Sequence, residues 1–180
     1  MEATFGLSQR LAQVPDSKLT LLSAEVKEME QAASEHPVKI LVVEDNPADA
    51  RLMHYALQKE SSWHTEMVVV EDGDQAIQYL TQQSSFAQAT RPDLVVLDLN
   101  LPKRDGTEVL QTIRTTGALE KLPVVILSSS PEDVSERVVQ QANLEADCYL
   151  MKPADVDDFL ALGTVLMRWY NRRMLANRAS

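Results

Sequence analysis

The 180-residue sequence has one cysteine, too few basic residues to balance its acids, and no long apolar run. A single thiol, Cys148, permits no internal disulfide, so a reducing compartment is expected; its apolar neighbours suggest a small buried side chain rather than a reactive group. Seventeen Lys and Arg against 27 Asp and Glu leave a formal net charge of -10. A protein that neutralises nucleic-acid phosphates needs clustered cations, so no nucleic-acid partner is expected. No apolar stretch approaches the length of a membrane span, and the opening "MEATFGLSQR" lacks a basic region followed by an apolar one. The expected protein is soluble and cytoplasmic, and the sequence contains neither an internal repeat nor a low-complexity tract.

With 44% hydrophobic residues, the chain can bury the core of one ordinary domain plus an extension. From residue 38 onward, short β-branched runs alternate with segments long enough for one helix each. The runs are "VKILVV", "TEMVVV", "DLVVLD", "PVVILS" and "DCYLM". Several are apolar almost throughout, as expected of parallel strands covered by helices on both faces. Asn46-Pro47 offers a helix N-cap followed by proline at the first helical position, and Ser130-Pro131-Glu132-Asp133 repeats the device. Helical spacing then recurs in Leu52, Tyr55 and Ala56; in Ala76, Ile77 and Leu80; in Val109, Leu110 and Ile113; and in Phe159, Leu162, Val165, Leu166 and Trp169. Gly117 reads as the stop of the third helix. The sum is an α/β domain of five strands and five helices.

Residues 38–173 form this domain, residues 1–37 an extension, and residues 174–180 a short basic tail. In the extension, Leu19, Leu22, Val26, Met29 and Ala33 are spaced to give one amphipathic helix over residues 18–34. A helix packed on this or a partner domain and a mobile arm are both open, and Met29 offers an internal start. Near the other end, Arg168, Arg172 and Arg173 would meet the negative end of a helix dipole.

The polar residues of interest all fall where strands end. Glu44 and Asp45 end the first strand, Asp98 the third and Ser128 the fourth, while Lys152 follows the fifth. In an open parallel sheet, ligands bind outside the C-terminal strand ends, at a switch point in the topology. Three carboxylates gathered there repel one another by about 3 kcal/mol per pair at an effective dielectric near 20. Magnesium, a hard cation that takes one or two carboxylates, waters and phosphate oxygens, is the neutralising group such a cluster invites. The remaining acid, Asp98, has the chemistry of a nucleophile toward phosphorus, with Lys152 as fixed positive charge and Ser128 as a hydrogen-bond donor to a phosphoryl oxygen.

Residues 38 to about 170 resemble the receiver domain of two-component response regulators, through the motifs "VVEDN", "VVLDLNLPKRDG", "PVVILSSS" and "CYLMKP". The resemblance implies a flavodoxin-like, doubly wound five-stranded sheet of order 2-1-3-4-5. It implies phosphorylation of Asp98 and magnesium held by Glu44, Asp45, Asp98 and the main-chain carbonyl of Asn100. Ser128 would follow the phosphoryl group, Lys152 would contact it, and Tyr149 would be the switch aromatic. Gly106 would let the loop after Asp98 turn tightly, and Pro153 would follow a cis peptide bond. Ser128 stands where threonine is more usual, and Cys148 where glycine or a polar residue is common; neither removes a needed group.

Within that family, "RPDLVVLDLNLPKRDG", "NPADARLMHYAL" and the late "RWY" are similar to stand-alone regulators paired with phytochromes. The implied donor is a phosphohistidine on a histidine kinase or a phosphotransfer protein. The implied assembly is a homodimer through the last strand and helix. The stretch after Lys152 has room for a final helix and a short tail, so output is expected through a changed protein contact or onward relay. Two alternatives are weighed against this. A phosphatase that forms an aspartyl phosphate wants a second Asp two residues after the nucleophile, where this chain has Asn100. A phosphorylation-independent interaction module would have lost an acid or the lysine, and none is lost.

Overall fold

The computed structural model describes residues 36–59, 63–129 and 146–178. The strands are β1 (Val38–Val43), β2 (Thr65–Val70), β3 (Leu94–Leu97), β4 (Val124–Ser128) and β5 (Cys148–Met151). They pair in parallel in the order β2-β1-β3-β4-β5, as the resemblance implies. Four described α-helices connect or follow them: α1 (Pro47–Lys59), α2 (Gly73–Leu80), α3 (Gly106–Thr115) and α4 (Val156–Arg178), with a 3-10 turn at Ser84–Phe86. The helix expected after Ser130-Pro131 and the seam over residues 18–34 lie outside the described residues.

Alternate residues of the central strands feed two separate cores, which is why these strands are apolar throughout. Ile40, Val42, Leu94, Val96, Val125 and Leu127 face Met53 and Leu57 of α1 and Phe159, Leu162, Leu166 and Met167 of α4. Leu41, Val43, Val95, Leu97, Val124 and Ile126 face Ala76 and Leu80 of α2 and Val109, Leu110 and Ile113 of α3. The register brings the strand ends level: Val43 lies beside Val70 and Leu97, Leu97 beside Ile126, and Ser128 beside Met151. The ladder also runs one residue past β1, β3 and β5. Glu44 N–H donates to the Val70 carbonyl, Asp98 N–H to Val43 and Lys152 N–H to Ser128, at 3.0, 3.0 and 2.8 Å. The polar residues that follow the apolar runs are therefore held by the sheet itself.

Several sequence expectations shift by one helical position. In α1 the buried side is Ala50, Met53, Ala56 and Leu57, whereas Tyr55 is 60% exposed. In α4, Met167 and Tyr170 are buried and Val165 is 46% exposed. Both helices carry apolar residues on adjoining stripes, and contact with the sheet, not spacing alone, selects the stripe. Asn46 caps α1 as expected, its side-chain oxygen accepting from Ala48 N–H at 2.9 Å. Helix α3 ends at Thr115 because Thr116 is extended, with φ -95° and ψ 107°; Gly117 lies beyond that end and does not adopt a left-handed conformation. Residues 174–178, expected to belong to a tail, continue α4.

Because α4 runs on to Arg178, Arg168, Arg172 and Arg173 lie before its last turn and do not meet the end of the helix dipole as expected; Arg173 instead meets a carboxylate. Its Nη2 lies 2.7 Å from Asp147 Oδ1, while Arg114 Nη2 and the Val124 N–H approach Asp147 Oδ2 at 2.9 and 2.7 Å. One carboxylate thus joins α3, β4, the start of β5 and α4. Helices α1 and α4 cross closely at Gly163, where an added Cβ would stand 2.1 Å from the Ala56 carbonyl oxygen and 2.4 Å from its carbon. Gly163→Ala is expected to destabilise the fold by about 1–3 kcal/mol, the overpacking cost exceeding the helix-propensity gain of about 1 kcal/mol. Urea unfolding should show a lower midpoint at unchanged slope.

Candidate functional site

The strand ends converge on an acidic hollow with one amine in it. Glu44 and Asp98 are buried, at 4% and 6% exposure, and Asp45 is exposed. Lys152 Nζ lies 2.6 Å from Glu44 Oε2, 2.6 Å from Asp98 Oδ2 and 3.2 Å from Asp49 Oδ2. The lysine side chain is itself 8% exposed, so the amine is enclosed by its partners. Burial disfavours its cation, but hydrogen bonds to Asp98 and Glu44 outweigh that and hold its pKa above the usual lysine range. For Glu44 the balance tips the other way: burial pushes its pKa up, and Lys152 only partly offsets the rise.

Asp49 was not singled out in the sequence. It sits in the first turn of α1, one helical turn after Asp45, and the proline-started helix points that turn back over the strand ends. An acid in a first turn reads as a response to the helix dipole, and only the fold reveals that it also faces a lysine from the last strand.

The carboxylates suit a divalent ion. Glu44, Asp45 and Asp98 each present an oxygen, and these oxygens lie within 4.8 Å of one another. That spread fits ligands around one hard cation with metal–oxygen distances of about 2.0–2.6 Å. Asn100 is adjacent, its N–H donating to Asp98 Oδ1 at 2.9 Å. Ser128 is fully buried at the end of β4, and its carbonyl accepts from Lys152 N–H. Tyr149 lies on β5, 40% exposed, its hydroxyl accepting from Ala146 N–H at 3.3 Å.

One structural expectation needs correction and another gains its physical reason. The Lys152–Pro153 peptide is trans, like every described peptide bond. Trans is the lower-energy isomer of an X-Pro bond by about 0.5–1 kcal/mol, and Lys152 reaches its acids with the bond in that form. Gly106 is needed for close approach rather than for an unusual φ. A Cβ there would stand 2.3 Å from the Asp98 carbonyl oxygen, and its N–H donates to Leu99 O at 3.0 Å.

Residues 40–162 match the family model of the response regulator receiver domain. This chain belongs to that family. The receiver is 38% identical over 129 residues to response regulator Rcp1 of Synechocystis sp. (strain ATCC 27184 / PCC 6803 / Kazusa), an alignment covering 72% of this chain and 86% of that protein. Among solved structures it is similar to the phosphorylated cyanobacterial phytochrome response regulator RcpA. That similarity has a TM-score of 0.69 and 38% identity, and covers 75% of this chain and 94% of the other. It is also similar to the Mn(2+)-bound form of Rcp1, with a TM-score of 0.66 and 37% identity over 72% of this chain and 91% of that one. The receiver is thus a signalling domain homologous to phytochrome response regulators, of a family phosphorylated by histidine kinases that binds divalent metal. Among the described residues no helix is long and apolar enough to cross a membrane.

Removing the amine should expose the strain it relieves. Lys152→Met leaves Glu44 buried without its cation, which is expected to cost about 3–5 kcal/mol at neutral pH without metal. The pKa of Glu44, already raised, should rise further. A group with a raised folded-state pKa stabilises the fold below its unfolded pKa and loses that contribution as pH rises through the folded value. The metal-free variant should therefore be more stable at pH 5 than at pH 7.5 by urea denaturation, with a wider gap than in the wild type.

Proposed function

We propose that this receiver accepts a phosphoryl group on Asp98 from a phosphohistidine of a histidine kinase or phosphotransfer protein. The Asp98 carboxylate oxygen forms the new bond to phosphorus as the phosphorus–nitrogen bond to the donor imidazole breaks. The imidazole leaves with the electron pair and is protonated. The observation that carries this reading is the single enclosed amine of Lys152, 2.6 Å from both Asp98 and Glu44. Such an amine keeps a positive charge beside the acceptor, in surroundings where it acts more strongly than in water.

Magnesium held by Glu44, Asp45, Asp98 and the main-chain carbonyl of Asn100 supplies, when bound, positive charge to the transferred oxygens. Ser128 donates its hydroxyl to a phosphoryl oxygen. Tyr149 then turns in from its exposed position, and the surface formed by β5 and α4 changes its preferred partner. A phosphoryl group adds a charge of about -1.5 to -2, and its contacts with Ser128 and Lys152 select one state over the other. The chemistry is limited to gain and loss of this one phosphoryl group, in the cytoplasm.

Two finer readings follow. The kinship with phytochrome response regulators supports a phytochrome-type kinase as the donor. Tyr149 and Met151, both exposed and on one side of the edge strand β5, support a homodimer through β5 and α4. Incubation with acetyl phosphate and magnesium should add one phosphoryl mass to the wild type and none to Asp98→Ala. An undiminished increment in that variant would remove Asp98 from its role. Sedimentation should show a dimer that Met151→Asp dissociates.

A further inference from the structure

The loop from Leu99 to Asp105 leaves the acceptor aspartate and is tied to a different part of the fold. Lys103 Nζ meets Asp72 Oδ2 at 2.5 Å, and Arg104 Nε meets Asp74 Oδ1 at 2.6 Å. Between those two acids, Gly73 N–H donates to the Pro102 carbonyl at 3.4 Å. A Cβ on Gly73 would stand 2.2 Å from the Arg104 carbonyl oxygen, so loop and helix start approach as closely as backbone allows.

Asp72 is an unusual partner for a surface lysine. It is 4% exposed, and it caps α2 by accepting from Gln75 N–H through Oδ1 at 2.8 Å. Its other oxygen accepts from Gln75 Nε2 and from Lys103. Burial alone would raise its pKa, but the Lys103 and Gln75 hydrogen bonds more than compensate and lower it. Lys103 has φ 67°, a left-handed conformation that a lysine rarely adopts and that persists only where surrounding contacts impose it.

The loop is therefore fixed at two points. At one, Asn100 N–H donates to Asp98; at the other, Lys103 and Arg104 meet α2. Only Leu101 and Pro102 intervene, and three residue steps reach at most about 10 Å. We propose that Lys103 and Asp72 are positioning residues, whose ion pair fixes the loop so that the Asn100 carbonyl is presented to the divalent ion. This rests on reading Asn100 and the three carboxylates as the metal ligands.

Charge alone and positioning give opposite signs for Lys103→Met, which makes the proposal testable by magnesium titration calorimetry. If only charge mattered, Lys103→Met would tighten magnesium binding by removing a nearby cation, and Asp72→Asn would weaken it. If the pair positions the loop, both substitutions weaken binding, by roughly tenfold, as for other outer-shell partners of metal ligands. The double variant should bind no more weakly than either single one. Asparagine remains a good N-cap, so Asp72→Asn keeps α2 capped, and Lys103→Arg, which keeps the charge, should restore most of the affinity.

Hydrogen exchange in metal-free protein gives a second readout. The amides of Asn100, Leu101 and residues 103–105 should exchange faster in Lys103→Met and Asp72→Asn, with those of β1 and β3 unchanged. Tighter binding by Lys103→Met, additive losses in the double variant, or loop exchange equal to wild type would each overturn the proposal. Wild-type protein with no saturable magnesium binding would instead overturn the metal-site reading, whereas normal wild-type binding with both variants within twofold of it would overturn the clamp alone.

Discussion

The structure depends on the contact between one buried amine and the acids around it. Glu44 and Asp98 are almost inaccessible to water, and carboxylates in that position ordinarily neutralise by taking up a proton or find a cation. Lys152 is the cation among the described residues that meets both, and it meets Asp49 as well. The arrangement remains short of positive charge, with one amine for three carboxylates and Asp45 alongside. That deficit suits the hollow to a divalent ion of the kind the family binds, and such an ion would also ease the approach of an anionic phosphoryl group.

Precision at the site comes from the sheet. Glu44, Asp98 and Lys152 lie one residue beyond their strands but still within the hydrogen-bond ladder, so their backbones are as fixed as the core. The two cores on either face brace the strands, and the Asp147 junction joins α3 and α4 to the opposite end of β4 and β5. Among site elements, the loop after Asp98 lacks this support from the ladder. It acquires support from α2, through side chains of opposite charge and a glycine that admits its backbone.

What could be read from the sequence follows the range of the forces involved. The strands announced themselves because burial on both faces demands unbroken apolar runs, and Glu44, Asp45, Asp98, Ser128 and Lys152 followed because strand ends are where such sheets bind ligands. Asn46-Pro47 marked a helix start because capping is local. The orientation of α1 and α4 did not emerge, since Tyr55 and Val165 sit on stripes as apolar as the buried ones and only the partner surface decides between them. Asp49 and the Lys103–Asp72 pair are contacts between residues 103 and 31 positions apart in the chain, and no short motif encodes them. The trans bond before Pro153 shows the limit of the resemblance: the isomer of an X-Pro bond is set by local contacts that a motif does not carry, and here the bond takes the intrinsically favoured form.

The enclosure of Lys152 has a chemical consequence beyond charge balance. If Asp98 is the acceptor proposed above, its acyl phosphate would be an activated carboxyl group standing beside a primary amine, the pairing from which amide bonds form. A free amine at that distance could attack the carbonyl carbon, expel phosphate and weld the two side chains into an isopeptide. In the unmodified protein Asp98 and Glu44 hold that amine protonated; once Asp98 carries the phosphoryl group, Glu44, Asp49 and the anionic phosphoryl oxygens would take over that task and leave the nitrogen no lone pair to offer. On the proposed reading, the contacts to Glu44 and Asp49 that persist after phosphorylation would thereby protect the site from irreversible self-acylation and keep the modification erasable.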